Sequence, residues 1–154
     1  ESRNESPFIV VCDSLEDPHN LGAILRSAEA AGVHGVIIPK RNSVTLNYTV
    51  AKTSAGAIEY VPVVKVANLP AAIDELKSRG VWIFGADMDG TDYTALDYSG
   101  SIALVIGSEG KGIGRLVREK CDFIASLPMR GKINSLNASV AAGILMFEAA
   151  KHRN

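Results

Sequence analysis

The sequence predicts an α/β fold with a mostly parallel sheet and flanking helices. Short apolar runs alternate with longer helical segments along the chain, and this alternation is typical of strand–helix–strand units. Two of the runs, residues 81–85 and 102–107, are almost continuously apolar, as expected for strands that are covered on both faces. With 154 residues, of which 47% are apolar and 21% charged, the chain can form one domain with an ordinary core.

The first half of the chain is divided into elements by turn residues. Asp17 and Pro18 are start signals for the first helix, and Gly32 is its stop signal. Pro62 lies inside a strand-like run, so that strand is expected at a sheet edge or at a bulge. Gly80 ends the second helix. In chain order the sequence predicts a strand at 8–12, a helix at 21–31, strands at 35–39 and 60–66, and a helix at 69–79.

The second half repeats the alternation. After the two apolar strands at 81–85 and 102–107, the pattern predicts a short helix at 113–120 and a last strand at 123–127. A final helix at 136–152 consists largely of small residues. No internal repeat interrupts this order, so one sheet with helices around it is expected.

The ends of the chain and its cysteines indicate the class of protein. Residues 1–7 are polar and begin without an initiator Met, so we expect the remnant of a linker followed by one domain at 8–154. No apolar run approaches the ~20 residues that cross a bilayer, and the amino end lacks the apolar core of a signal peptide. Cys12 and Cys121 are expected to be buried, reduced thiols. A cytoplasmic protein without membrane contact is therefore expected.

The net charge of −1 argues against a protein that coats nucleic acid without specificity, because such proteins are usually strongly basic. Any contact with RNA must come from a local patch. The candidate cations are Lys40, Arg41, Lys52, Lys111, Arg115, Arg118, Arg130 and Lys132. For each of them a scattered, solvated side chain is the alternative.

A first polar segment, residues 13–28, follows the first predicted strand. The end of a strand is where open α/β sheets place their ligands. Asn20 lies near the start of the helix, and Arg26 lies within an otherwise small and apolar helix. The alternative is an ordinary amphipathic helix with a capping Asn and a surface Arg.

A second segment, residues 107–115, is rich in glycine and joins a buried strand to a helix. It fits neither the P-loop nor the dinucleotide fingerprint, because its glycines have the wrong spacing. Gly107 and its neighbours therefore indicate a backbone that approaches some ligand closely, with Glu109 beside it. A simple glycine-rich turn is the alternative.

A third segment, residues 127–144, runs from an apolar strand through a polar turn into the last helix. It places Ser135 and Asn137 at the mouth of that helix. Either residue could be a helix cap, but capping alone explains neither the loop nor the second polar residue. The three His and two Cys of the chain show no ligand spacing, so no metal is expected.

Together the three segments resemble the SpoU (TrmH) family of RNA ribose 2′-O-methyltransferases, within the SPOUT superfamily. The resemblance extends over residues 8–153 and is closest to the branch that methylates a guanosine ribose in large-subunit ribosomal RNA. The matching motifs lie at residues 17–26, 105–112 and 127–141. Three ordered motifs with intact polar residues are far more specific than a single glycine-rich loop.

This resemblance implies an enzyme that uses S-adenosylmethionine to methylate a ribose 2′-hydroxyl in RNA. It implies a SPOUT methyltransferase domain at 8–154 whose carboxyl-terminal chain forms a deep trefoil knot, a rare exception to the rule against threaded connections. It also implies a homodimer with an active site that is completed across the subunit boundary. Carried over from the motifs, the cofactor-binding residues are Gly85, Ala86, Gly107, Leu127, Met129 and Leu136.

The resemblance also implies the catalytic residues. The counterpart of Arg26 is the family's proposed activator of the ribose hydroxyl. Because a guanidinium is a reluctant base, we favour a role in which Arg26 polarises the hydroxyl and clamps a phosphate. Asn20 and Glu109 are expected to orient Arg26 and the loops, and Ser135 and Asn137 to hold ribose or cofactor. No metal is required.

Two alternatives stay open at this point. A family member that acts on transfer RNA usually adds basic terminal extensions, which this chain does not show. A noncatalytic RNA-binding module on the same scaffold is the other alternative, and the intact Arg26, Glu109 and Asn137 speak against it.

Overall fold

The structure of the chain, a computed structural model, describes residues 5–15, 17–40, 48–108, 112–132 and 136–153. Its strands are β1 (Phe8–Cys12), β2 (Gly35–Pro39), β3 (Val63–Val66), β4 (Trp82–Asp92), β5 (Ile102–Ile106) and β6 (Phe123–Ser126). They form one sheet in the order β3-β2-β1-β5-β4-β6. Every neighbouring pair in this sheet is parallel, which confirms the predicted class.

An α-helix lies between each pair of consecutive strands except β4 and β5, which are joined through a short 3₁₀ helix, Tyr93–Ala95. Asp17 caps the first helix, since its carboxylate accepts a hydrogen bond from the His19 amide at 2.8 Å. Gly32 ends the same helix in the left-handed conformation, with φ at 86°. The α-helices of the described residues are α1 (Pro18–Ala31), α2 (Tyr48–Thr53), α3 (Leu69–Ser78), α4 (Arg115–Lys120) and α5 (Ala138–Ala150).

The core lies on both faces of the sheet. In β1, Val10 packs in a cluster with residues of α1 and α5, and Val11 packs in a second cluster with residues of α3 and α4. In β5, Leu104 and Val105 are divided in the same way, and both are fully buried. Burial on both faces explains why these strands are apolar at nearly every position.

The structure differs from the prediction at several element ends. β3 begins at Val63 instead of residue 60 and is an edge strand, as Pro62 predicts. α4 and α5 begin later than predicted, after Gly114 and Asn137, because these two residues are the extended caps of the helices. The short helix α2 was not predicted at all, since six residues show too little of the helical period.

The largest difference is in β4, which was predicted to end at residue 85 and extends to Asp92. The extension contains an irregularity, because Ala125 of β6 pairs with both Ala86 and Thr91 of β4. Residues 87–90 lie between these two pairings. Most of the extension is exposed, so no apolar run marks it in the sequence.

The predicted trefoil knot depends on the path of the chain through the carboxyl-terminal loops. Residues 109–111 and 133–135 of these loops lie outside the described residues, so the threading stays a prediction. Over the described ranges, no helix is long and apolar enough to span a bilayer.

Gly22 sets the distance between α1 and α2. A Cβ atom at this position would lie 1.8 Å from Oγ1 of Thr53 and 2.7 Å from its Cβ. Thr53 is held in place because its hydroxyl donates a hydrogen bond to the Thr49 carbonyl at 2.7 Å. The missing side chain at residue 22 therefore allows the close packing of the helix that carries Arg26.

We expect Gly22→Ala to lower the free energy of unfolding by about 1–3 kcal/mol, the usual cost of overpacking a close contact. Thermal unfolding followed by circular dichroism would show a lower Tm. Gly143→Ala in α5 is the matched control, because its new Cβ would lie 3.6 Å from the Ser27 hydroxyl, an ordinary contact. Equal Tm values for the two variants and the parent chain would contradict this packing account.

Candidate active site

A cleft of about 570 Å³ opens at the carboxyl ends of β4, β5 and β6. Ligands of open α/β sheets bind at this edge, because neighbouring strands end there and continue into loops. The start of α5 closes one side of the cleft. The lining residues include Ala86, Gly107, Leu127, Met129, Leu136 and Ala141.

The loop after β5 is packed tightly against its own start. A Cβ atom on Gly107 would lie 2.2 Å from the carbonyl carbon of Gly112 and 2.4 Å from the amide nitrogen of Ile113. The Gly112 amide donates a hydrogen bond to the Ser108 carbonyl at 2.8 Å. Gly112 has φ at +66°, a conformation that favours glycine. Both glycines are therefore required by the backbone, and Gly107 also lines the cleft.

Asp13 links this loop to the first polar segment. It follows β1 directly, and its amide donates a hydrogen bond to the Ile106 carbonyl at 2.7 Å. Its carboxylate accepts a hydrogen bond from the Gly114 amide at 2.8 Å. The loops after β1 and β5 are thus held together by contacts from one residue.

Carboxylates form part of the cleft wall in the irregular stretch of β4. Asp87 pairs with Arg118 at 2.6 Å, and Arg118 also donates a hydrogen bond to the Met88 carbonyl at 3.3 Å. Asp89 is exposed in the cleft, and over the described part of the chain no cation pairs with it. An unpaired carboxylate favours a ligand with a positively charged group.

Arg26 lies outside this cleft. It is exposed on α1 and lines a separate depression of about 320 Å³ together with Glu29 and Tyr60. The two cavities have no lining residue in common. Within one chain, the candidate cofactor cleft and the candidate catalytic Arg therefore belong to different surfaces.

Comparison with known proteins identifies the family of the chain. Residues 7–147 match the SpoU rRNA methylase family. The chain belongs to the SpoU methylase family. It is 57% identical over 155 residues to YacO of Bacillus subtilis, which is named as a TrmH-family tRNA/rRNA methyltransferase, and the match covers 100% of this chain and 62% of that protein.

Solved structures of the family have the same fold. AviRb, a SpoU methyltransferase of Streptomyces viridochromogenes in complex with the cofactor AdoMet, matches with a TM-score of 0.89 and 30% identity over 96% of this chain and 61% of that one. An RNA 2′-O ribose methyltransferase matches with a TM-score of 0.86 and 27% identity, over 97% and 57% of the two chains. The chain thus spans about 60% of the length of these relatives.

The cleft of this SpoU-family chain brings together most of the residues predicted to bind the cofactor. Ala86, Gly107, Leu127, Met129 and Leu136 all line it. The sixth, Gly85, is buried, and a Cβ there would lie 2.7 Å from both Cys121 Sγ and Ile113 Cδ1. Its described contacts are therefore packing contacts. The cofactor-binding role of all six residues stays a prediction.

The predicted catalytic residues are only partly brought together. Asn20 is half-buried in the first turn of α1, and among the described residues it makes no hydrogen bond to Arg26. Asn137 caps α5, since its side chain accepts a hydrogen bond from the Ser139 amide at 2.9 Å. This capping is compatible with a further role in the site. Glu109 and Ser135 lie outside the described residues.

Sequence reasoning missed the two acidic residues of the cleft wall, Asp87 and Asp89. They follow Gly85 and Ala86 almost directly, and this closeness was the available signal. It was not sufficient, because the pairing irregularity of β4 decides that these side chains line the cleft. Glu29 was also missed, since an acidic residue on an exposed helix face has no distinctive pattern.

Two of the cations that the sequence offers as candidates for contact with RNA form ion pairs within the chain. Arg115 pairs with Glu119 at 3.2 Å, and Arg118 is held by Asp87. Arg41 and Lys111 lie outside the described residues.

The two thiols are poor candidates for a nucleophile. Burial, and then the charge of Asp13, raise the pKa of Cys12 to about 12. Burial, and then the charge of Asp122, raise the pKa of Cys121 to about 11, although this side chain is only partly buried. Both thiols stay protonated at neutral pH, and the thiolate is the reactive form.

We expect Gly107→Ala to weaken binding of S-adenosylmethionine by about tenfold or more, because the added Cβ must displace the backbone at Gly112 that shapes the cleft. Isothermal titration calorimetry would measure the change. Gly35→Ala in β2 is the control, since its Cβ would lie 3.6 Å from the Pro62 carbonyl oxygen, far from the cleft. An unchanged affinity in a folded Gly107→Ala variant would remove Gly107 from the cofactor site.

Proposed function

We propose that the protein is an S-adenosylmethionine-dependent RNA methyltransferase that modifies a ribose 2′-hydroxyl, with a guanosine of large-subunit ribosomal RNA as its target. The observation that carries this proposal is the cleft at the carboxyl ends of β4, β5 and β6, which gathers residues from the second and third motifs. A solved family member binds AdoMet on the same fold.

The lining of the cleft suits this cofactor. Apolar side chains such as Leu127 and Leu136 offer contacts for an adenine ring. The exposed carboxylate of Asp89 favours the positive charges of the amino-acid end and the sulfonium. The bound cofactor would supply an activated methyl group, and the task of the chain is to hold the acceptor ribose in line with it.

Arg26 is proposed to act on the RNA. Its guanidinium presents a planar fork of donors that can grip two oxygen atoms, such as those of a phosphate. Among the described residues no carboxylate neutralises it, although Glu29 lines the same depression. It is therefore available to clamp a phosphate and to polarise the neighbouring ribose hydroxyl towards loss of its proton.

We expect Arg26→Ala to reduce methyl transfer to background while leaving the affinity for S-adenosylmethionine nearly unchanged. Arg26→Lys should restore little activity, because a point-charge ammonium does not reproduce the planar fork. Incorporation of a tritiated methyl group into ribosomal RNA by the full-length protein measures the first effect, and calorimetry measures the second. Wild-type turnover in the Ala variant would show that Arg26 is a solvated surface residue.

A homodimer is proposed because one helix has apolar residues on both of its sides. Leu145 and Met146 of α5 are buried in the core of the chain, whereas Val140, Ile144 and Phe147 are 50%, 36% and 48% exposed. These three residues are spaced by about one helical turn and share one face. A helix that is apolar all round is normally covered on both sides, and a second copy of the chain would cover this face.

We expect Phe147→Asp to convert the protein to a monomer, because it places a charge in the proposed interface. Light scattering coupled to size-exclusion chromatography measures the mass, and circular dichroism shows that the fold is kept. Leu116→Asp, at a residue of α4 that is 57% exposed, is the matched control and should remain dimeric. A monomeric parent protein would contradict the proposal directly.

Mixing of variants tests whether the active site is shared between subunits. In a mixed dimer of Arg26→Ala and Gly107→Ala chains, an intact cleft and an intact Arg26 occur only on opposite subunits. A shared site would recover about a quarter of wild-type activity after random exchange of subunits. A site contained within one subunit would recover none, when S-adenosylmethionine is kept at a concentration at which the Gly107→Ala chain alone is inactive.

Transfer RNA is the second candidate substrate, because YacO is named for both RNA classes. Mapping of ribose methylation in the ribosomal and transfer RNA of cells that lack the gene separates the two. Loss of one methylated guanosine from large-subunit ribosomal RNA is expected. Loss from a transfer RNA would change the substrate, and no change in either RNA would favour a noncatalytic RNA-binding module.

A further inference from the structure

The depression beside Arg26 is also lined by an acidic and an aromatic side chain, and binding of a phosphate requires neither of them. Its volume is about 320 Å³. The residues that line it are Arg26, Glu29 and Ala30 of α1 and, after the end of α2, Ser54, Ala55, Ala57 and Tyr60. Its floor includes the fully buried Ser54, whose hydroxyl donates a hydrogen bond to the Ala51 carbonyl at 3.0 Å. Another wall of the depression is Tyr60, a residue that is 76% exposed.

The backbone presents Tyr60 in a fixed way. After α2 the chain turns through Ala55 and Gly56, both with positive φ, and forms a short 3₁₀ helix, Ala57–Glu59. The Tyr60 amide donates a hydrogen bond to the Ala57 carbonyl at 2.9 Å. The next residue, Val61, is buried. An anchored backbone thus carries a large aromatic ring that is left to solvent.

Three polar side chains of the depression, Arg26, Glu29 and Tyr60, are unpaired among the described residues. Arg26 and Glu29 lie three residues apart on α1, a spacing that normally allows an ion pair. Over the described ranges they form neither an ion pair with each other nor a hydrogen bond with another side chain, and the Tyr60 hydroxyl also has no partner. A carboxylate repels phosphate, so the part of an RNA that could bind at Glu29 is a neutral group with hydrogen-bond donors.

We infer that Glu29 and Tyr60 form a subsite for the base of the methylated nucleotide and that this subsite selects guanine. The inference rests on the proposed function. Tyr60 offers a face on which a splayed base can stack, as in other proteins that bind single-stranded RNA. Glu29 accepts hydrogen bonds from the edge of that base, while Arg26 binds its ribose and phosphate.

The choice of guanine follows from the donors of the four bases. Guanine carries N1–H and N2–H₂ side by side, so one carboxylate can accept from both. Adenine and cytosine carry one amino group beside a ring nitrogen that is an acceptor, and this acceptor repels a carboxylate. Uracil has a single N–H between two carbonyl oxygens. A carboxylate that is acceptor-only therefore distinguishes guanine from the others.

The test uses the full-length protein and a synthetic RNA fragment around the mapped methylation site, with either guanosine or inosine at the target. Inosine lacks the N2 amino group. We expect the wild type to lose about tenfold or more in kcat/KM on inosine, the loss expected for a hydrogen bond to a charged group. Glu29→Gln should be weaker on guanosine by a similar factor and should discriminate much less between the two RNAs.

Tyr60 is tested in the same assay. Tyr60→Ala should raise KM for the RNA by about tenfold or more, because base stacking is lost, and should leave KM for S-adenosylmethionine unchanged. Tyr60→Phe, which keeps the ring, should restore most of the affinity for RNA that is lost in Tyr60→Ala. A general loss of stability would instead impair the kinetics with both substrates.

The outcomes separate the two proposals. Methylation of a nucleotide other than guanosine, or full discrimination against inosine by Glu29→Gln, would overturn the subsite and leave the methyltransferase activity standing. Wild-type kinetics in Tyr60→Ala would show that no base stacks on Tyr60. Absence of any methylated product with the wild type would overturn the proposed function and this inference together.

Discussion

The pairing of β1 with β5 positions both halves of the candidate site. The two strands are in register from Phe8 against Ile102 to Cys12 against Ile106, and all of β5 is buried. Each strand is followed at once by a site segment, so their carboxyl ends deliver two motifs to one edge of the sheet. Asp13 then joins the segments, with hydrogen bonds to residues on either side of the Gly107 turn. A shift in either strand would change the cleft.

Chemistry that requires alignment benefits from such rigid supports. Methyl transfer to a ribose is limited by the orientation of two reactants, and loops that fluctuate independently would lose that advantage. Here the loop after β5 folds back on Gly107 so closely that no side chain fits. The tight turn allows only glycine at position 107, and it preserves the shape of the cleft.

Because Arg26 and the cleft lie on different surfaces of one chain, the proposed dimer would bring the Arg26 of one subunit to the cleft of the other. A symmetric dimer places the same surfaces of two chains together, so one interface can complete two sites. In the proposed dimer, the RNA contacts of this nearly neutral chain would be concentrated beside Arg26 instead of spread over a basic surface.

The sequence by itself determined the class of the fold, the order of its strands and two of the segments that form the cleft. It could do so because burial of a sheet on both faces imposes apolar runs, and because tight turns and helix starts require particular residues, such as Gly107 and Asp17. The tertiary structure alone decided the extension of β4, the short helix α2 and the meeting of Glu29 with Tyr60. These features arise from contacts between residues far apart in sequence or from exposed stretches, and neither leaves a periodic signal in the chain.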